Sequence, residues 1–308
     1  MESRDFWFSK NEINKRPKFY LAPMVRYSKL AFRQLVRLYD VDVCYTPMIY
    51  AKNFIESEKC RNSELSVCEG DSPLIVQFAT DDPFVLAEAA EMVYSCSSGV
   101  DLNCGCPKHD VRSKGFGSAL LSKPELLADM VRQTRARISD ENFSVSLKIR
   151  VNKEIEKTVD LCRKAESAGV THLTVHGRTP SQHAEPIDIE AIRLVKSAVK
   201  VPIIANGGIT NLQEAMNLAE KTGVDGIMAA NGLLDNPALF AGYEYTPSDC
   251  VESFMRLSRE HGLDWLLYHQ HLQYMLRPLL SAQQRRIFNE LNGRLAIDGF
   301  LNNLLADY

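Results

Sequence analysis

The feature that most limits how this chain can fold is a rhythm. Short apolar runs recur eight times, at residues 19–25, 43–50, 73–80, 99–103, 144–150, 172–176, 202–206 and 226–230. Between most of them lie stretches with apolar residues at helical spacing: 30–39, 83–95, 123–138, 155–168, 189–198 and 211–221. The runs read as apolar on both faces, the pattern of parallel strands covered by helices. Eight such strands within about 225 residues match a (β/α)8 barrel. An open doubly wound sheet is the rival, but no G-x-G-x-x-G follows the first strand.

After residue 242 the rhythm stops. Residues 243–247 are turn-rich, and 248–261, 264–280, 282–292 and 294–305 carry helical periodicity with no strand candidate. The expected architecture is α/β: a TIM barrel over residues 1–242, opened by an irregular lead-in of fifteen residues, then a small all-helical domain over 243–308.

Composition narrows the class. With 308 residues, 45% of them hydrophobic and 24% charged, the chain can bury a full core without disulfides or metal. Its eight cysteines form no paired C-x-x-C sets, which argues against structural zinc, so no metal is expected. No run is long enough to span a membrane, and the N-terminus lacks the apolar core of a signal peptide. The expectation is a single-copy intracellular protein, cytoplasmic or nuclear, with reduced thiols. Net charge is −3, so a nucleic-acid surface must be local; residues 1–40 hold nine Lys/Arg against four acids.

A barrel carries its chemistry where its strands end. The fourth strand runs into Gly-Val-Asp-Leu-Asn-Cys-Gly-Cys-Pro, residues 99–107, and loses its apolar pattern at Asn103. Cys106, held between a glycine and a proline, is the candidate reacting side chain, although free cysteines are often simply buried. Gln77, Lys148, His176 and Asn206 end other strands and belong to the same mouth. Gly207, Gly208 and Gly232 allow backbone N–H groups to approach an anion, or serve as plain turn residues. Lys148 suits a negatively charged ring edge or phosphate, and Gln77 and Asn206 suit the polar edge of a planar heterocycle. Flavin mononucleotide (FMN) meets these demands, with phosphate over strands seven and eight and its ring across the mouth.

At these residues the sequence resembles the tRNA-dihydrouridine synthases. The likeness rests on Ala22-Pro23-Met24-Val25, Gln77, residues 103–107, residues 115–121, Lys148-Ile149-Arg150, Val175-His176-Gly177-Arg178-Thr179, Asn206-Gly207 and Asn236-Pro237, and is greatest to the eukaryotic branch acting at positions 20a and 20b. The resemblance implies an FMN barrel, NADPH as reductant, tRNA as partner, and a C-terminal helical domain that helps hold the tRNA. It implies that Pro23, Met24 and Val25 line the flavin and that Gln77 hydrogen-bonds its ring. Lys148 and His176 then contact ring or phosphate, and Asn206, Gly207 and Gly208, with Ala230 and Asn231, support the phosphate. Asn103, Arg150, Arg178 and Arg277 are expected on the substrate. Two positions depart from the family: Gly208 stands where Asp is usual, and Asn231 where Arg is usual.

The implied reaction delivers hydride from reduced flavin to C6 of an everted uracil and a proton from Cys106 to C5. A free thiol, with an ordinary pKa of about 8.5, is mostly protonated at neutral pH and suits that task. Three other readings compete: reduction of a free pyrimidine, tRNA binding with a decayed flavin site, and a Schiff-base aldolase built on Lys148.

Overall fold

A computed structural model describes residues 16–306. The expected lead-in, with Arg4, Lys10 and Lys15 of the basic N-terminal group, lies outside the described residues. The strands are β1 (Lys18–Leu21), β2 (Val43–Tyr45), β3 (Ile49–Tyr50), β4 (Leu74–Ala79), β5 (Gly99–Cys104), β6 (Ser144–Arg150), β7 (His172–His176), β8 (Ile203–Asn206) and β9 (Gly226–Ala229). All pairings are parallel, and the order β2-β1-β9-β8-β7-β6-β5-β4 closes on itself because β2 also pairs with β4. The expected eight-stranded barrel is present.

One expected strand is broken in two. Residues 43–50 divide into β2 and β3, since Tyr45 faces Ile75 while Ile49 faces Phe78: four steps on one side span three on the other. Pro47 lies in the interruption and has no N–H for a ladder. The Thr46 hydroxyl fills the gap, accepting from the Gln77 backbone N–H at 3.1 Å.

The strands are also less apolar than expected on the face turned into the barrel. Tyr20, Val43, Tyr45, Ile75, Ile204 and Met228 form an inner cluster, separate from the larger core between strands and helices. Gln77, Asp101, Ser144, Ser146, His172 and Thr174 are buried in the same ring of strands. Every second residue of β6 is polar, as Ser-Val-Ser-Leu-Lys-Ile-Arg requires once strand alternation is applied. Buried polar groups need partners. The Tyr45 hydroxyl meets His172 Nε2 at 2.8 Å and Ser144 Oγ meets His172 Nδ1 at 3.3 Å. Burial pushes the His172 ring down to about 3, so it is neutral.

The outer helices follow their sequence signals. Asp82 caps Pro83–Val93 by accepting from the N–H groups of Phe84 and Val85, with proline in the first turn. Asn211 caps Leu212–Thr222, which ends at Gly223. Two helices, Ala51–Glu56 and Glu58–Glu64, have no counterpart in the sequence reading, being too short to establish a period.

The C-terminal segments form the expected helices Ser248–Glu260, Trp265–Met275, Ala282–Glu290 and Arg294–Ala306. Phe254 and His271 pack on Phe32 of the barrel helix Leu30–Arg37. One apolar core runs through both regions. Tyr27, in the loop after β1, sets its ring edge against Tyr274 and His271. No helix among the described residues is long and apolar enough to cross a membrane.

Candidate active site

The parallel register brings the sequence-selected residues around one end of the barrel. Asn103 pairs with Lys148, Arg150 with His176, and His176 with Asn206. Cys106 follows β5 by two residues and is half-buried, whereas Cys104 is fully enclosed. Asn103 holds the Cys106 loop: its Oδ1 accepts from the N–H of Cys106 at 3.0 Å and from Gly105 at 3.3 Å. From behind, Gly117 (φ +60) lies against this loop so closely that a Cβ there would stand 2.7 Å from the Cys106 carbonyl oxygen. Only glycine tolerates both that backbone and that approach.

Three side chains of adjacent strands stand in line behind Asn103. Its Nδ2 donates to Gln77 Oε1 (2.9 Å), Gln77 Nε2 donates to Asp101 Oδ2 (2.8 Å), and Ser146 Oγ donates to Asp101 Oδ1 (2.7 Å). Gln77 and Asp101 are both 0% exposed. Gln77 therefore has one amide hydrogen left unspent, and no part of it is exposed at the mouth. Burial raises the Asp101 carboxyl to about 7, against the opposing pull of Gln77, Ser146 and the Lys148 charge. The sequence reading missed Asp101 and Ser146. A carboxylate inside an otherwise apolar strand was the available signal.

Across the mouth the arrangement is looser. Lys148 Nζ donates to Asn206 Oδ1 at 2.8 Å, and Asn206 Nδ2 donates to the Met228 carbonyl at 2.8 Å. Lys148 is half-buried, and desolvation lowers it to about 8, with Arg150 pushing the same way and Asp101 opposing. His176 is pushed down to about 2, first by burial and then by Lys148, Arg150 and Arg178, so its ring is neutral. Its Nε2 is buried without a hydrogen-bond partner. The ring packs on Gly207 (φ +118), where a Cβ would stand 2.8 Å from Nε2. Gly208 (φ +73) is exposed and faces open space; the nearest groups to a Cβ there are Ile187 and Arg178, at 3.9 and 4.0 Å.

The remaining expected residues divide. Pro23 and Met24 are half-buried in the rim turn after β1, Val25 is exposed there, and Met24 O accepts from the N–H groups of Tyr27 and Ser28. Ala230 is half-buried at the end of β9, and Asn231 is exposed beside it. Arg150 Nη1 is committed to the carbonyls of Thr179 and Gln182, so it braces the loop after β7. Arg178 Nε donates to the Glu185 carbonyl. Arg277 lies in the turn after helix Trp265–Met275; it is 3.9 Å from Asp235, beyond β9, and stacks over Tyr274. One expectation about basic surface fails: Arg33, one of the nine basic residues of 1–40, is buried against Asp71 at 2.6 Å. His269 and His271 are core residues of the C-terminal helices.

These residues fit a flavin. An unpartnered buried imidazole nitrogen, an ammonium group and the open Gly208 beside a guanidinium suit a planar polar heterocycle carrying an anion. No cluster of His, Cys, Asp or Glu among the described residues is arranged to hold a metal ion, and all eight cysteines are free.

Comparison with known proteins agrees with this geometry. A family model described as dihydrouridine synthase matches residues 20–296. An uncharacterized tRNA-dihydrouridine synthase-like protein of Caenorhabditis elegans is 88% identical over 92% of this chain and 99% of its own length. Proteins named tRNA-dihydrouridine(20a/20b) synthase [NAD(P)+] in Schizosaccharomyces pombe, and the same with "-like" in mouse, are 44% and 49% identical; they cover 89% and 93% of this chain and 84% and 88% of their own. Among solved structures, the old yellow enzyme of Trypanosoma cruzi superposes with a TM-score of 0.53 at 11% identity, covering 72% of this chain and 86% of that one, a likeness of fold alone. The chain belongs to the dihydrouridine synthase family.

Proposed function

We propose that this protein reduces uridine to 5,6-dihydrouridine in tRNA, at positions 20a and 20b as in the relatives of that name, with bound FMN and NADPH as reductant. The observation that carries the reading is the placement of Cys106: a half-buried thiol on a loop braced by Asn103 and Gly117, at the barrel end where Lys148, His176 and Asn206 converge. When bound, reduced flavin supplies hydride to C6 of the uracil. Cys106 delivers the proton to C5 from the opposite face and regains one from solvent. Lys148, still mostly charged at neutral pH, and the neutral His176 ring hold the anionic and polar edges of the cofactor. Pro23, Met24 and Val25 supply an apolar wall, and Gln77, wholly enclosed, supports the mouth through Asn103.

The two departures from the family pattern compensate each other. An aspartate at position 208 would sit within reach of Arg178, whose Nη2 lies 4.0 Å from the Cβ position. Glycine leaves that guanidinium unpaired on this side, so Arg178 takes the phosphate in place of the arginine that Asn231 replaces. This reading favours a working flavin site over a decayed one.

Residues 243–308 serve as the tRNA-holding domain. Arg277 and Arg285 line a cavity of about 210 Å³ with Gln273, Leu280, Phe288 and Asn289, and basic side chains there suit phosphate contacts. Position-resolved mass spectrometry of dihydrouridine in tRNA, from cells with and without this protein, tests the function. Loss confined to 20a and 20b is expected; unchanged dihydrouridine at every position overturns the reading.

A further inference from the structure

We propose that Asp101 is a positioning residue: through two side-chain amides in series it dictates which way Asn103 faces, and so holds the Cys106 loop. The inference rests on the role just given to Cys106, but its geometry stands independently.

The reasoning is one of donors and acceptors. A side-chain amide is nearly symmetric in shape, so packing alone does not choose between its oxygen and nitrogen ends. An ionised carboxylate accepts and never donates, and above pH 7, near which burial places the Asp101 carboxyl, that form prevails. Asp101 therefore compels Gln77 to present nitrogen toward it, at 2.8 Å, which turns Gln77 Oε1 toward Asn103. Asn103 must then present nitrogen to Gln77, at 2.9 Å, which turns Asn103 Oδ1 toward the N–H groups of Gly105 and Cys106. Reverse Gln77 and every link fails in turn, ending with an NH2 group aimed at a backbone N–H.

No bulk water corrects such an error, because Gln77 and Asp101 are wholly enclosed. The carboxylate's other oxygen is occupied by Ser146 Oγ at 2.7 Å. Ser146 Oγ also lies 3.4 Å from the Val100 carbonyl, so the hydroxyl has a second acceptor to which it can turn. The charged or titratable groups around Asp101 are Lys148 on β6, Tyr45 on β2 and Cys104 on its own strand, and among them only Lys148 carries charge at neutral pH.

This wiring gives a signature that a merely structural role lacks. In Asp101→Asn the new side chain can still turn oxygen to Gln77, provided its NH2 finds Ser146 Oγ as acceptor and the hydroxyl hydrogen turns to Val100. In Ser146→Ala the carboxylate remains acceptor-only toward Gln77. Each single change keeps the amides facing correctly, whereas the double change removes the bias.

The test is a cycle of Asp101→Asn, Ser146→Ala and the double variant in the full chain, run at pH 8, above the Asp101 value of about 7. It is read by kcat and KM for tRNA reduction and, separately, by the alkylation rate of Cys106 with iodoacetamide, resolved by peptide mass spectrometry. Each single variant should lower kcat by less than about threefold, and the double variant by about tenfold or more beyond their product, with KM little changed. The Cys106 alkylation rate should shift in the double variant alone. Multiplicative effects in the cycle, with an unmoved alkylation rate, overturn the proposal.

If the double variant does not fold, Asn103→Asp and Asp101→Asn/Asn103→Asp replace it. The latter rebuilds the line with its polarity reversed and still offers Cys106 N–H an acceptor, so its alkylation rate should return toward the wild-type value while Asn103→Asp alone departs from it. Failure of that rescue also counts against the relay. If the wild-type protein leaves tRNA unreduced, the functional reading fails, while the alkylation cycle still decides the role of Asp101.

Discussion

The two halves of the barrel mouth are built on opposite principles. On the β4–β6 side, Ser146, Asp101, Gln77, Asn103 and the Cys106 backbone form an unbroken hydrogen-bonded line. On the β7–β9 side, His176 Nε2 has no partner, Gly207 and Gly208 adopt positive φ, and Arg178 lies beside the exposed Gly208. The first half satisfies itself and fixes the Cys106 loop in advance. The second leaves polar capacity unspent for a ligand to satisfy. An enzyme that must place a proton donor against a bound ring needs both, since orientation has to exist before binding and affinity has to come from it.

The sharpest way to break this contrast is to remove the proposed acid from the closed half. Cys106→Ala should lower dihydrouridine formation by about a hundredfold or more while the purified protein keeps its flavin absorbance. Undiminished turnover by that variant removes Cys106 as the acid.

Next in size is the open half. Arg178→Met should weaken FMN binding by about tenfold or more, the value of a charge-assisted hydrogen bond, as read by fluorescence titration of apoprotein. Gly208→Asp should weaken it comparably by pairing with Arg178, and adding Asn231→Arg should recover the loss. An unaffected Gly208→Asp variant would show that Arg178 does not hold the phosphate.

A smaller effect is expected from pH. Lys148 is lowered to about 8, so its charge is present below that pH and is lost above it. FMN affinity of the apoprotein should therefore fall as pH rises through about 8 in wild type, and this step should vanish in Lys148→Met. His176, neutral at all these values, contributes no step.

The smallest lies outside the mouth. Arg277→Glu should weaken tRNA binding severalfold and lower the slope of log affinity against log salt by about one, leaving FMN titration curves superimposable on those of wild type.

Much of this was legible in the chain. The barrel could be read because the strand faces covered by helices are apolar at a regular spacing, and because Asp82, Asn211 and Gly223 announce helix ends. Cys106, Lys148, His176 and Asn206 could be read because a polar residue ending such a strand has a known address on the barrel rim. The division of 43–50 into two strands was less visible: Pro47 signals an interruption, yet the Thr46 hydroxyl that bridges it is a tertiary contact. Arg33 looked like surface charge, and only Asp71, thirty-eight residues on, makes it a buried pair.

Sequence alone determined the barrel and which polar residues gather at one end of it, because periodicity and strand ends are local properties of the chain. The tertiary structure decided which of those residues are spent on one another and which remain free. Gln77 is nearly consumed by Asp101 and Asn103, while the His176 nitrogen is left open. That distinction depends on which side chains of neighbouring strands meet across the barrel, and strands joined only through helices carry no record of it in their order.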